Sequence, residues 1–181
     1  MRGPRRFKYD LRVACYGTVD EANSAIGICR LLTTSMPKID SMLGRIQNDL
    51  FDVGSDLATP GADAPGTTPS LRATPEQSAW LEQMIDVYNE GLEPLTSFVL
   101  PGGSPLAANL HMARTIVRRA ERQVVELMHD EPGSNGQTVV YLNRLSDLLF
   151  VLARVANNLG RNDVLWVPGR HGHGNKDASQ S

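Results

Sequence analysis

The sequence predicts an all-α protein with five helices, and three observations predict it. Five stretches carry apolar residues in steps of three and four, segments rich in Pro and Gly separate them, and no internal repeat suggests a solenoid. A chain of 181 residues, 41% hydrophobic and 21% charged, suits one domain with a substantial core. That domain is expected over residues 1–170, and the polar, glycine-interspersed tail 171–181 is expected to be disordered.

The first helix is expected to begin at Thr18, because "TVDE" places Glu21 three residues after a hydroxyl N-cap. Ala22, Ala25, Ile26, Cys29 and Leu32 then share one face. The second helix runs from Pro37 to Leu57, with Ile39, Met42, Leu43, Ile46, Leu50, Val53 and Leu57 as its core stripe. Residues 58–73, "ATPGADAPGTTPSLRA", form a long loop in which Pro and Gly defeat both helix and strand; it is either mobile or a lid. A third helix opens with Thr74 as N-cap, Pro75 in the first turn and Gln77 closing a capping box, and runs to about Leu92. Its buried side is read as Trp80, Leu81, Met84, Ile85 and Tyr88.

"LTSFVLPGGSP" reads as a short extended stretch ending in a glycine turn, with Ser104 and Pro105 set to open the fourth helix. The fifth spans roughly Thr138 to Leu159 and stops at Gly160.

Charge narrows the function. A net charge of −2 and a pI of about 6.1 exclude the global basic field that drives sequence-independent nucleic-acid binding, so any anion site must be local. Cys15 and Cys29 lie in or beside apolar segments without metal-ligand spacing and are read as small hydrophobes in a reducing cytoplasm. No run of about 18 apolar residues offers a membrane span, and the basic start "MRGPRRFKYD" leads into no signal-type apolar region.

The fourth helix concentrates Arg114, Arg118, Arg119 and Arg122 within "HMARTIVRRAERQVVEL". At about 100° per residue, Leu110, Ala113, Val117, Ala120, Val124 and Leu127 form a core stripe, and Arg114, Arg118 and Glu121 form a second stripe beside it. On the fifth helix Leu145, Leu148, Leu149, Leu152, Ala156 and Leu159 face one way, and Asn143, Asp147, Phe150 and Arg154 the other. Periodicity alone leaves two readings open: solvated faces laced with ion pairs, or faces turned toward a ligand.

The motifs "RVACYGTVDEANSAIG", "FVLPGG", "ARTIVRRAERQVVEL" and "YLNRLSDLLFVLAR" resemble, in this order, those of the PduO-type ATP:cob(I)alamin adenosyltransferases. The resemblance runs from about Lys8 to about Trp166. It implies a ferritin-like five-helix bundle, a homotrimer with active sites between subunits, and transfer of the 5′-deoxyadenosyl group of ATP to cob(I)alamin with release of triphosphate. It also implies ATP, magnesium and cobalamin as ligands, and a reductase and an adenosylcobalamin-dependent mutase as partners. Arginine suits the leaving triphosphate because its fixed fork of donors matches phosphate oxygens and stays ionised.

By the same resemblance Arg118 meets the triphosphate, with Lys8 as helper, and Arg114 pairs with Asp20 across the subunit interface. Asn143 contacts nucleotide. Glu121 and Asp147 hold the arginines in register or help place a magnesium bound mostly by phosphate oxygens, the orienting role being preferred to direct ligation. Phe98 packs under the corrin ring and excludes the lower axial ligand from cobalt, which eases reduction to cob(I). Read without the motif, Phe98 would be an ordinary core aromatic. The family pattern also includes a Thr-Gly-Asp-x-Gly-x-Thr phosphate grip ahead of the equivalent of Arg5, and "MRGPRRFKYD" starts downstream of it. The alternative from another class is a non-catalytic cobalamin carrier without the ATP loop. His171 and His173 are read as solvated.

Overall fold

The structure is a computed structural model that describes residues 6–61 and 69–170. The expected disordered tail and both its histidines lie outside those residues. Five helices follow in order: α1 (Leu11–Arg30), α2 (Pro37–Leu57), α3 (Pro75–Asn89), α4 (Pro105–Asp130) and α5 (Gln137–Ala156). Among the described residues the only β pairing is an isolated antiparallel bridge between Val99 and Leu165.

The long helix α4 packs against both α1 and α5; α2 lies on the far side of α1, α3 lies on α5, and α2 also touches α5. The predicted stripe of α4, Leu110, Ala113, Val117, Ala120, Val124 and Leu127, is buried throughout, and so is the whole predicted stripe of α2. Fully burying a Val, Leu, Ile or Met side chain is worth about 1.5–3 kcal/mol, so both stripes contribute substantially to holding the bundle together.

Three local expectations are corrected. Helix α1 begins at Leu11, well before Thr18, because Asp10 caps it by accepting a hydrogen bond from the Arg12 backbone N–H at 2.9 Å. Thr18 sits inside the helix, where its hydroxyl donates to the Ala14 carbonyl one turn back at 2.9 Å, so "TVDE" imitates a cap without being one. Helix α5 ends at Ala156, and Asn158, Leu159 and Gly160 all take positive φ beyond it. Leu159 is therefore 44% exposed and leaves the core. Helix α3 stops at Asn89, and only Leu81 of its expected apolar side is fully buried. Its capping box is present, with the Thr74 N–H donating to Gln77 Oε1 at 3.0 Å.

One end of the bundle is closed by charge. Arg12, almost completely buried, donates to Glu131 Oε2 at 2.7 Å, to the Leu57 carbonyl at 2.5 Å and to Ser134 Oγ at 3.0 Å. Beside it the buried Asp56 carboxylate accepts from Arg72 at 2.8 Å, from the Ala73 N–H at 2.8 Å and from Asn135 at 2.7 Å. Arg72 also donates to the carbonyls of Thr59 and Gly61, so both described edges of the long loop are tied to this end.

Candidate functional site

The second stripe of α4 and the polar stripe of α5 meet. Asn143 Nδ2 donates to Glu121 Oε1 at 2.9 Å, bringing two antiparallel helices together through polar groups. Arg144 is the hub beside them: it donates to Asp147 at 3.2 Å, to Asn143 Oδ1 at 3.4 Å and, across to α3, to Glu82 at 2.8 Å. Arg118 stands on the same face of α4 as Glu121, one turn earlier. It is exposed, and its guanidinium makes no ion pair or side-chain hydrogen bond among the described residues. Arg119, by contrast, is paired with Glu21 of α1.

Arg114, a further turn toward the start of α4, has a buried Nε without a partner. Burial, and then the like charge of Arg118, lower its pKa. Two neighbouring guanidiniums without carboxylate partners form a local excess of positive charge in an acidic protein. Such a pair favours a polyanion with oxygens to share.

The structure thus brings Arg118, Glu121, Asn143 and Asp147 to one face. It does not bring Lys8, Asp20 or Phe98 to them within the chain. Helices α1 and α4 run antiparallel, with Arg12 paired to Glu131 at one level and Glu21 paired to Arg119 at another. The stretch of α4 between those levels is about 18 Å long at about 1.5 Å per residue. Lys8, which precedes Arg12, therefore lies at the Glu131 end, beyond reach of a triphosphate held by Arg118 of the same chain. Asp20 is exposed on α1, makes no side-chain ion pair among the described residues, and lines a cavity of about 420 Å³ with Tyr16, Asn23, Phe51 and Gly54.

Phe98 lies at the opposite end, just before α4. It is 76% exposed, which removes the core reading. Its segment is held by main-chain bonds: Trp166 N–H donates to the Phe98 carbonyl at 2.8 Å and Leu100 N–H to the Val164 carbonyl at 2.7 Å. The Trp166 ring meets Phe98 edge-on at 5.8 Å, and Leu100, Val164, Leu165 and Val167 are exposed around them. Asn157 locks the turn that follows, accepting from the Ser104 N–H at 2.9 Å and donating to the Gly102 carbonyl at 3.2 Å. Gly103 has φ +97°, and a Cβ there would lie 2.2 Å from Asn157 Oδ1, so this glycine is obligatory on two counts.

Arg154, read as part of the outward polar stripe of α5, is in fact buried. It donates to Asp163 at 2.8 Å and to the Glu93 carbonyl at 2.8 Å, which fixes the C-terminal segment beside Phe98. Sequence reasoning also missed Arg144, whose spacing to Asp147 was visible, and Asn157 and His111, for which the sequence carries no signal. His111 is 1% exposed, edge-on to Phe150 at 6.0 Å, with neither ring nitrogen hydrogen-bonded. Among the described residues no group of three or more His, Cys, Asp and Glu side chains is arranged to hold a metal ion.

The fold and this face define the class: an all-α helical bundle that presents arginines without carboxylate partners among the described residues, with exposed aromatic rings at one end. Comparison with known proteins makes that class specific. A family model described as cobalamin adenosyltransferase matches residues 1–156. The chain is 52% identical to the corrinoid adenosyltransferase of Mycobacterium leprae (strain TN) over 165 residues, covering 90% of this chain and 85% of that protein. It is 45% identical to the corrinoid adenosyltransferase of Bacillus subtilis (strain 168), covering 86% and 79%. Among solved structures, a variant of the PduO-type ATP:corrinoid adenosyltransferase from Lactobacillus reuteri, complexed with cobalamin and ATP, is 43% identical with a TM-score of 0.79. That match covers 89% of this chain and 88% of the other. The chain belongs to the cobalamin adenosyltransferase family.

Proposed function

We infer that this chain transfers the 5′-deoxyadenosyl group of ATP to cob(I)alamin. The observation that carries the reading is the polar face on which the unpaired Arg118 stands beside Glu121, Asn143 and Asp147. Solved Lactobacillus reuteri variants alter a phenylalanine and an arginine whose separation along the chain equals that between Phe98 and Arg118, which supports the same pairing of roles here.

In the reaction the electron pair of cob(I) forms a bond to C5′, the C5′–O bond breaks, and its electrons leave with the triphosphate. Neither step needs proton transfer from the protein, so positioning and electrostatic stabilisation suffice. Arg118 would receive the charge that develops on the leaving oxygens. Asn143 would contact the nucleotide, while Glu121 and Asp147 keep the polar side chains in register through the bonds described above. Magnesium would arrive on the triphosphate and would neutralise part of its charge.

Phe98 would lie under the corrin as an apolar wedge, keeping the lower axial position of cobalt empty. Its exposure on a segment pinned by Trp166, Val164 and Asn157 supports that role.

The separation of Lys8 from Arg118 along α4 supports a site completed between subunits of a homotrimer, with Lys8 of one chain approaching Arg118 of another. Asp20 and Arg114, without an ion pair among the described residues, would then meet across that interface. A reductase that delivers cob(I) and a mutase that accepts the product are the proposed partners, in the cytoplasm. No described helix is long and apolar enough to cross a membrane.

The test is anaerobic incubation of the chain with cob(I)alamin, magnesium and ATP, following the absorbance change as the cobalt–carbon bond forms. Product formation that is lost in Arg118→Ala supports the reading. Cobalamin binding that is insensitive to ATP, without product, would establish the carrier instead.

A further inference from the structure

The turn that leads into α1 carries three exposed side chains in a row, Phe7, Lys8 and Tyr9. Exposure here does not come from a loose backbone. Arg6 donates to Asp10 at 3.0 Å and to Glu131 at 2.9 Å, the Asp10 N–H donates to the Phe7 carbonyl at 3.0 Å, and Asp10 caps α1. Glu131 is in turn held by the buried Arg12. The turn is thus anchored at both ends while Phe7 and Tyr9 stand 70% and 84% exposed.

Their rings lie parallel, 6° apart in plane with centroids at 5.2 Å, so the pair presents flat aromatic faces to solvent. Leaving two large aromatic faces in water forfeits burial energy that either ring would gain in the core. Lys8, exposed between them in sequence, adds a cation to the same turn. An aromatic face beside a cation fits a ligand that joins a flat π-system to a chain of negative charge.

We propose that Phe7 and Tyr9 form a stacking shelf for the purine base of the nucleotide, with Lys8 beside it reaching the phosphates. The proposal rests on the nucleotide reading above and deepens it by naming the residues that grip the base. Stacking tolerates any base, because each has a π-face, so the shelf adds affinity for nucleotides over bare polyphosphates more than it selects among bases. The anchored backbone means that little ordering entropy is spent when the base arrives.

The test compares magnesium–ATP with magnesium–tripolyphosphate, each titrated calorimetrically into the full chain and into a Phe7→Leu/Tyr9→Leu variant. The shelf predicts that the variant weakens ATP about tenfold or more, leaves tripolyphosphate unchanged, and recovers ATP affinity in Phe7→Trp/Tyr9→Trp. Because both rings are exposed, the thermal unfolding midpoint should stay within about a degree or two of the parent. Equal weakening of both ligands, or unchanged ATP affinity, would overturn the shelf. So would a loss of oligomer mass in the variant by light scattering, which would mark the rings as a contact between subunits. Failure of the unaltered chain to bind ATP would sink the nucleotide reading itself.

Discussion

The two charge-rich regions of this bundle are opposites in one respect. At the Glu131 end, Arg12, Arg6, Asp56 and Arg72 all find partners inside the chain, and the buried members are hydrogen-bonded several times over. On the shared face of α4 and α5, among the described residues, the Arg118 guanidinium has no partner, Arg114 keeps an unpaired buried Nε, and His111 is buried with both nitrogens unsatisfied. Buried polar groups without partners are costly and rare; Arg12 Nε is one at the Glu131 end, but there the rest of the guanidinium is bonded three times, whereas neither ring nitrogen of His111 has a partner among the described residues. The matched end holds the fold together; the other face is where the proposed site lies.

The comparison breaks most visibly at Asp56. Removing this carboxylate takes an acceptor from the Arg72 guanidinium, the Ala73 N–H and the Asn135 amide at once. Asp56→Ala should cost about 3–5 kcal/mol, the range for breaking a buried charge pair by deleting one partner. Denaturant unfolding would read it, and activity per folded molecule should stay near the parent. A stability loss below ~1 kcal/mol would show that water enters this end and replaces the lost partner.

Arg118→Ala should do the reverse. Stability should change by no more than ~0.5 kcal/mol, because an exposed, unpaired side chain holds nothing together. The rate of adenosyl transfer should fall about 10²–10³-fold, the usual consequence of removing one preorganised group that stabilises developing charge. A smaller effect is expected at Phe98. Phe98→Ala should slow turnover from cob(II)alamin with a reductant about tenfold, equivalent to ~1.4 kcal/mol, while sparing turnover from preformed cob(I)alamin. An electron paramagnetic resonance spectrum of bound cob(II)alamin would show whether the lower axial ligand has returned to cobalt; an unchanged spectrum would remove the wedge from the mechanism.

The legibility of the two regions differed for a physical reason. The face with Arg118, Glu121, Asn143 and Asp147 could be read because each helix repeats every three or four residues, so sharing a stripe in sequence means sharing a face in space. Helix α2 was legible from Pro37 to Leu57 for the same reason. The matched end could not be read this way. Arg12, Leu57, Glu131 and Ser134 come from distant stretches, and no periodicity announces that they converge. Arg154 was misplaced because a buried ion pair with Asp163 looks, in sequence, like a polar position on a solvated stripe. Thr18 misled because local capping patterns also occur inside helices, where the hydroxyl bonds back one turn. Lys8 and Phe98 were legible only through family motifs, since they stand at opposite ends of α4.

Acid should separate the two regions by the pH at which each loses stability. His111 has its pKa lowered from the ordinary 6.5, first by burial and then by Arg114 on its own helix, while Asp163 on the C-terminal segment pulls the other way. A group whose folded pKa is depressed binds protons more readily when unfolded, so its stabilising contribution is full above 6.5 and is lost as pH falls through the folded value. Glu131 at the matched end is lowered from 4.5, chiefly by its hydrogen bond from Arg12, and the same sign places its loss below 4.5. Stability measured against pH should therefore decline in two steps, the upper one belonging to the face that carries Arg114. His111→Phe should flatten the upper step and leave the lower. If both steps persist in that variant, the upper step belongs to another group, and His111 does not contribute to the difference between the two regions.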